Sequence, residues 1–231
     1  MSLRARVGTL LVAFLVVVGF VIFAVVQWLH TSLPTIAASR VAGNQVHLVM
    51  QETPETSSGT HPDWVSYFIQ DPKTKKWVHT TLFSVPAGAT VHITVLGYDG
   101  CTPPRNVFFD QVTGTTGNYE TVDGKKVTTL NGWKNCTIGH TFSIPAIGLS
   151  VPMATVTTLA ANNNLCPQAP CQPVEGGKPV PHTTINFTFK APKTPGNYMW
   201  QCRIPCGLGY LDGFGGPMQT LGFMTGNMEV T

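Results

Sequence analysis

Between Val7 and Leu29 the chain carries no charged residue. An uninterrupted block of this kind crosses a bilayer core as a helix, which takes roughly 20 apolar residues. Arg4 and Arg6 precede it, and no basic residue follows until Arg40. Because basic flanks stay in the cytoplasm, the N-terminus is expected inside and everything after His30 outside the cell membrane. Trp28 stands where an interfacial aromatic would stand. The competing reading is a cleaved signal peptide, with Ala37-Ala38-Ser39 imitating a cleavage site. A signal peptide's apolar core is shorter, roughly 7–15 residues, and cleavage follows it closely. A retained single-pass anchor over 1–30 is therefore expected, followed by a linker over 31–45 and one exported domain over 46–231.

Export sets the chemistry open to the remaining residues. All six cysteines, Cys101, Cys136, Cys166, Cys171, Cys202 and Cys206, follow the apolar block, so they belong to an oxidising compartment where pairing is expected. Only 11% of residues are charged, against roughly a quarter in an ordinary domain, and the apolar block explains part of that deficit. A net charge of +3 with no basic run longer than Lys73-Thr74-Lys75-Lys76 excludes a nucleic-acid partner. No paired carboxylates, nucleotide loop or Ser/His/Asp set is visible, which argues against hydrolase or nucleotide chemistry.

Beyond the block, Thr, Val, Gly and Pro dominate, a mixture suited to short strands joined by turns. Strands are expected at Val46–Met50, Trp64–Ile69, Trp77–Phe83, Thr90–Val95, His140–Ile144, Thr183–Phe189, Tyr198–Cys202 and Asn227–Val230. Thr90–Val95 and Thr183–Phe189 alternate at period two, as half-buried strands do. Polar stretches at about 99–138 and 161–180 are expected as loops. No amphipathic helix follows the anchor. Many short strands at near-regular spacing predict an all-β sandwich or barrel.

The segment Tyr198-x-x-x-Cys202-x-x-x-Cys206-Gly207-Leu208-Gly209-Tyr210 carries the chemistry. Two thiols four apart on a loop suit soft metal ions: copper(I), zinc or iron–sulfur centres. His140 opens an apolar strand upstream and offers an imidazole nitrogen. Met218 and Met224 lie downstream and offer thioethers. Nitrogen, thiolate and a weak thioether together are a copper electron-transfer set, not a zinc set. His30, His47, His61, His79 and His92 are expected as interface, surface or sheet residues, and Met153, Met199 and Met228 as core.

As an ordered set these stretches resemble the copper domain of cytochrome c oxidase subunit II. Val85-Pro86-Ala87-Gly88 with its alternating strand, His140-Thr141-Phe142-Ser143-Ile144-Pro145, and Thr188 to Gly207 through Cys202 and Cys206 carry the resemblance, from roughly Ser84 to the C-terminus. It implies a Greek-key cupredoxin sandwich behind one transmembrane helix. It implies His140 as a nitrogen ligand, Cys202 and Cys206 as bridging thiolates, Ile204 as a backbone carbonyl ligand and Met224 as the thioether. It further implies electron transfer from cytochrome c or another small donor to the haem of a subunit I-like membrane partner. The chain departs from the family where a second His is expected: Tyr210 stands there, and an insert over 211–223 carrying Met218 separates it from Met224. The copper is then CuA-like, mononuclear as in a stand-alone anchored copper electron carrier, or absent. If absent, the chain is a structural subunit of a quinol-oxidase-type complex, and Cys202 and Cys206 are free to pair. The inserts that interrupt the family pattern are each bracketed by cysteines, which implies Cys101 paired with Cys136 and Cys166 with Cys171.

Overall fold

The computed structural model describes residues 3–30, 33–54, 61, 64–102, 104–156, 166, 168–171, 180–206 and 216–231. It divides into two units, residues 1–33 and 34–231. The first is a helix, α1 (Leu3–His30), whose apolar window Val7–Val25 has a mean hydropathy of 2.9. At about 1.5 Å per residue it exceeds the roughly 30 Å of a hydrocarbon core. Leu10, Phe14 and Phe20 stand exposed along it, as side chains facing lipid do.

The second unit is built of strands. In chain order these are β1 (Ile36–Ala37), β2 (Ser39–Arg40), β3 (Gln45–Thr53), β4 (Ser66–Gln70), β5 (Trp77–Val78), β6 (Leu82–Val85) and β7 (Thr90–Gly97). Then follow β8 (Glu120–Val122), β9 (Lys125–Val127), β10 (Ile138–Ile144), β11 (Leu149–Ala154), β12 (Thr183–Lys190), β13 (Gly196–Gln201) and β14 (Thr225–Val230). One sheet runs β1-β6-β14-β13-β10-β11; the other runs β5-β4-β3-β7-β12-β8-β9, with β2 beside β3. The fold is the all-β sandwich expected, preceded by an apolar helix long enough to span a membrane.

Local sequence explains the layers. In β7 and β12 buried and half-buried residues alternate, and the strands pair antiparallel in register from Thr183↔Gly97 to Lys190↔Thr90. The inward faces meet β10, which is buried along its whole length. Tyr67, Phe83, Phe142, Phe189 and Trp200 fill the space between the sheets. Burying each such side chain contributes about 1.5–3 kcal/mol.

The expected strand Trp77–Phe83 divides. Val78 pairs within one sheet and Phe83 within the other, so the chain changes sheet across His79–Thr81. The Thr80 hydroxyl holds this corner by donating to the Pro34 carbonyl. Two strands, β1 and β2, lie in the span read as linker. The span read as a loop over 99–138 contains the β8–β9 hairpin. Its turn, Asp123-Gly124, has positive φ at both residues, which is the requirement of a tight two-residue hairpin. β11 lies outside the strands expected; it ends its sheet beside β10, with a bridge between Thr113 and Ser150 on its other side, a position that tolerates proline. Met153 and Met228 are core residues as expected, whereas Met199 is 50% exposed on β13. Most of the insert over 161–180, and residues 211–215 of the insert over 211–223, lie outside the described residues.

Candidate metal centre

His140 is placed by β10, and the cysteine loop by the end of β13. Three backbone ties fix that loop. The Cys202 N–H donates to the Met224 carbonyl (2.9 Å), the Arg203 N–H donates to the Thr141 hydroxyl (2.7 Å), and the Thr141 N–H points at the Cys202 sulfur (3.4 Å). The two strand ends therefore hold each other before any metal is considered.

Cys202 Sγ and Cys206 Sγ lie 3.6 Å apart and are not bonded to one another. His140 Nδ1 is 3.2 Å from Cys206 Sγ and 3.8 Å from Cys202 Sγ. The Ile204 carbonyl lies 3.5 Å from Cys202 Sγ. Met218 Sδ lies 3.1 Å from Cys206 Sγ. His140, Cys202, Ile204, Cys206 and Met218 are all buried. Met218 sits in a short 3-10 turn, Gly216–Gln219, tied down by the Gln201 amide on the Met218 carbonyl and by the Met224 N–H on the Pro217 carbonyl. Met224 is fully buried and supports the loop through its backbone. The structure therefore gathers His140, Cys202, Ile204 and Cys206, with the sulfur of Met218 on the cluster. Tyr210 lies outside the described residues.

Electrostatics divide the two thiols. Burial raises Cys202, but hydrogen bonds from Cys206, His140 and the Thr141 N–H outweigh it, and its pKa falls well below the ordinary thiol value. Cys206 is pushed well above that value by burial and by the neighbouring Cys202 thiolate. Burial lowers His140, yet Glu52, Cys206 and the hydrogen bond to Asp99 raise it well above the ordinary imidazole value. Burial raises Glu52. The two sulfurs are thus unequal, Cys202 the readier thiolate, and a bound metal would favour the thiolate form of both.

The donor set fits copper. Two cysteine sulfurs, one imidazole nitrogen and one thioether converge in a dry pocket, and the thioether distinguishes this set from a structural zinc site. Three other histidines are engaged elsewhere. His47 and His92 bond Thr94 and Thr188 on the outer face of their sheet, and His61 stacks on Trp64.

Sequence reasoning missed Glu52 and Asp99, which approach the far side of the His140 ring. Asp99 falls in the stretch expected as a loop, and Glu52 lies beyond the end of the strand expected over Val46–Met50. One signal was available for Asp99. It lies two residues before Cys101, whose expected partner Cys136 lies four residues before His140, so the disulfide brings the two stretches together. Cys101 and Cys136 are indeed bonded (Cα–Cα 5.4 Å), as are Cys166 and Cys171 (5.3 Å).

Among solved structures the chain is similar to rusticyanin, described as a copper protein. The identity is 17% over 84% of this chain and 86% of that one, with a TM-score of 0.32. Rusticyanin from Thiobacillus ferrooxidans gives 16% over 84% and 86%, with a TM-score of 0.30. Reduced rusticyanin gives 18% over 85% and 81%, with a TM-score of 0.33. Such scores carry nothing about the site. No protein-family profile and no curated protein matches the chain.

Proposed function

We propose that the chain is a membrane-anchored copper protein that passes electrons on the outer face of the cell membrane, in the manner of subunit II of a haem–copper oxidase. One observation carries this reading: two buried cysteine sulfurs, 3.6 Å apart and unbonded, converge on His140 Nδ1. In an oxidising compartment two such neighbouring thiols form a disulfide unless something else occupies them. Bound copper would supply a one-electron couple. The protein's part is a stiff frame, two strand ends and a tied turn, that keeps the donors in place in both oxidation states.

The ligands in this reading are His140, Cys202 and Cys206, with the Ile204 carbonyl nearby and the Met218 thioether completing the set. Met218 is favoured over Met224 because its sulfur already touches Cys206 and its turn is tied at both ends. The anchor α1 keeps the domain beside the bilayer, where a haem-bearing membrane partner would take the electron and a small cytochrome or other carrier would supply it.

Copper per purified full-length chain, measured together with the visible spectrum, tests the reading. One copper with thiolate-to-copper absorption supports a mononuclear carrier, and two support a CuA-like centre. No copper, with Cys202 linked to Cys206 in non-reduced peptides, would leave the structural-subunit reading in its place.

A further inference from the structure

His140 has two nitrogens, and the sulfurs occupy only one side of the ring. On the other side Nε2 faces Asp99 Oδ2 at 2.9 Å and Glu52 Oε1 at 2.9 Å. The contact with Asp99 has hydrogen-bond geometry. Glu52 Oε1, equally close, stands out of line with the N–H and has no hydrogen-bond partner among the described residues. Two ionised carboxylate oxygens at this distance are incompatible with a lone pair on Nε2, because acceptor would face acceptor. With Asp99 Oδ2 accepting, the proton lies on Nε2.

The backbone is shaped for this approach. A Cβ on Gly139 would stand 2.6 Å from the Gly100 carbonyl, so only glycine lets the Asp99–Gly100 stretch come this close to β10. Asp99 Oδ1 accepts from the Gly100 N–H (2.6 Å), which aims Oδ2 at the ring. The bond between Cys101 and Cys136 and the Thr102 N–H on the Ile138 carbonyl hold the same two segments together. Glu52 is built in as firmly. It sits opposite Gly97 in the parallel β3–β7 pair, where a Cβ would lie 3.2 Å from Glu52 Oε2. The Tyr98 N–H fixes the Glu52 carbonyl (3.0 Å).

We propose that Asp99 and Glu52 are positioning residues for the metal-facing imidazole. Asp99 holds the proton on Nε2, Glu52 closes the other side of that nitrogen, and Nδ1 is thereby left as the nitrogen that binds metal at the cysteine pair. The inference rests on the copper reading for its consequence but not for its geometry. Partners that orient a ligating histidine are worth about 10–100-fold in metal affinity.

The test uses the full-length chain in detergent with isotope-labelled histidine, followed by NMR without metal and with copper(I), which is diamagnetic. A proton bonded to His140 Nε2, shifted downfield and slow to exchange, is expected in both states. Asp99→Ala removes that protected signal and weakens copper(I) binding about 10–100-fold in competition with a chromophoric chelator. Asp99→Asn, which keeps an acceptor oxygen, restores the signal. Glu52→Gln weakens binding by less, since the Asp99 bond remains. A wild-type ring with no proton on Nε2 overturns the inference, as does an Asp99→Ala protein with unchanged signal and affinity. If the wild type takes up no copper, the functional reading fails, while the Nε2 signal of the metal-free protein still decides this one.

Discussion

Cys166 and Cys171, five positions apart, are joined; Cys202 and Cys206, four apart, are not. Both pairs are buried, so neither spacing nor exposure separates them. Their neighbours do. Cys166 and Cys171 pack in a small cluster with Tyr98 and Val180, and the Gln51 amide side chain both donates to the Cys171 carbonyl and accepts from its N–H. The Gln168 carbonyl lies 3.5 Å from the Cys166 sulfur. Cys202 and Cys206 instead meet an imidazole nitrogen, a thioether and a backbone N–H. Two buried thiol pairs of similar spacing are thus joined in one setting and left apart in the other.

The largest expected effect tests that contrast directly. Cys202→Ser together with Cys206→Ser should abolish thiolate-to-copper absorption, because the thiolates are the donors that give the band, and either replacement alone should alter it. Cys166→Ser with Cys171→Ser should leave the band unchanged. A band that survives loss of both Cys202 and Cys206 would show that the convergence at His140 is packing alone.

The staples themselves should differ in strength. In the chain-entropy picture a bond across 35 residues, Cys101–Cys136, is worth about 4 kcal/mol, and one across 5 residues, Cys166–Cys171, about 2 kcal/mol. Urea unfolding of the two double-serine variants should show that order. Equal losses would mean that the loop over 99–138 is held by its hairpin and not by its disulfide.

Carboxylates repeat the lesson. Glu52 and Glu120 are both fully buried, but Glu52 reaches His140 while neither oxygen of Glu120 has a hydrogen-bond partner among the described residues. Burial alone pushes the Glu120 carboxyl well above its ordinary value of 4.5. The sign follows from which state releases its proton first. The unfolded chain ionises Glu120 as pH rises past the ordinary value, while the folded chain keeps the proton. The stability from the neutral group is full below that value and is lost as pH rises toward the folded one, by at most about 1.4 kcal/mol per pH unit. Glu120→Gln should remove this slope and be the more stable protein at neutral pH. Parallel wild-type and variant profiles from pH 4 to 8 would contradict it.

How much of this was legible in the sequence depends on the range of the interaction. The sandwich was legible because alternation in Thr90–Val95 and Thr183–Phe189 is local, and so was His140 with the cysteine pair, because each stands in its own short motif. The Asp123-Gly124 hairpin was equally local, yet its polar surroundings hid it. Glu52 and Asp99 were not legible from spacing. They meet His140 only because a parallel β3–β7 pairing and a disulfide carry them there, from positions 88 and 41 residues upstream. Met218 lies in an insert that the family pattern lacks, where ordering costs about 1–2 kcal/mol per residue. Hydrogen bonds from Gln201 and Met224 to its turn offset that cost.

The smallest effect concerns those two methionines, and it separates a sulfur at the site from a sulfur in the core. Met218→Leu and Met224→Leu change volume little, so each should cost less than about 1.5 kcal/mol of stability. Their spectra should differ. A thioether is a weak donor beside two thiolates and an imidazole, so its loss shifts the energy of the thiolate band without removing it. Met218, with its sulfur 3.1 Å from Cys206, should show that shift. Met224 holds the loop by its carbonyl on the Cys202 N–H, a contact that leucine keeps. Met224→Leu should therefore leave both the band and the copper content as they are. The reverse pattern, a shift on replacing Met224 and none on replacing Met218, would return the thioether to the position the family resemblance implies. It would also mean that the turn Gly216–Gln219 serves packing, with its sulfur held against Cys206 for volume and not for coordination.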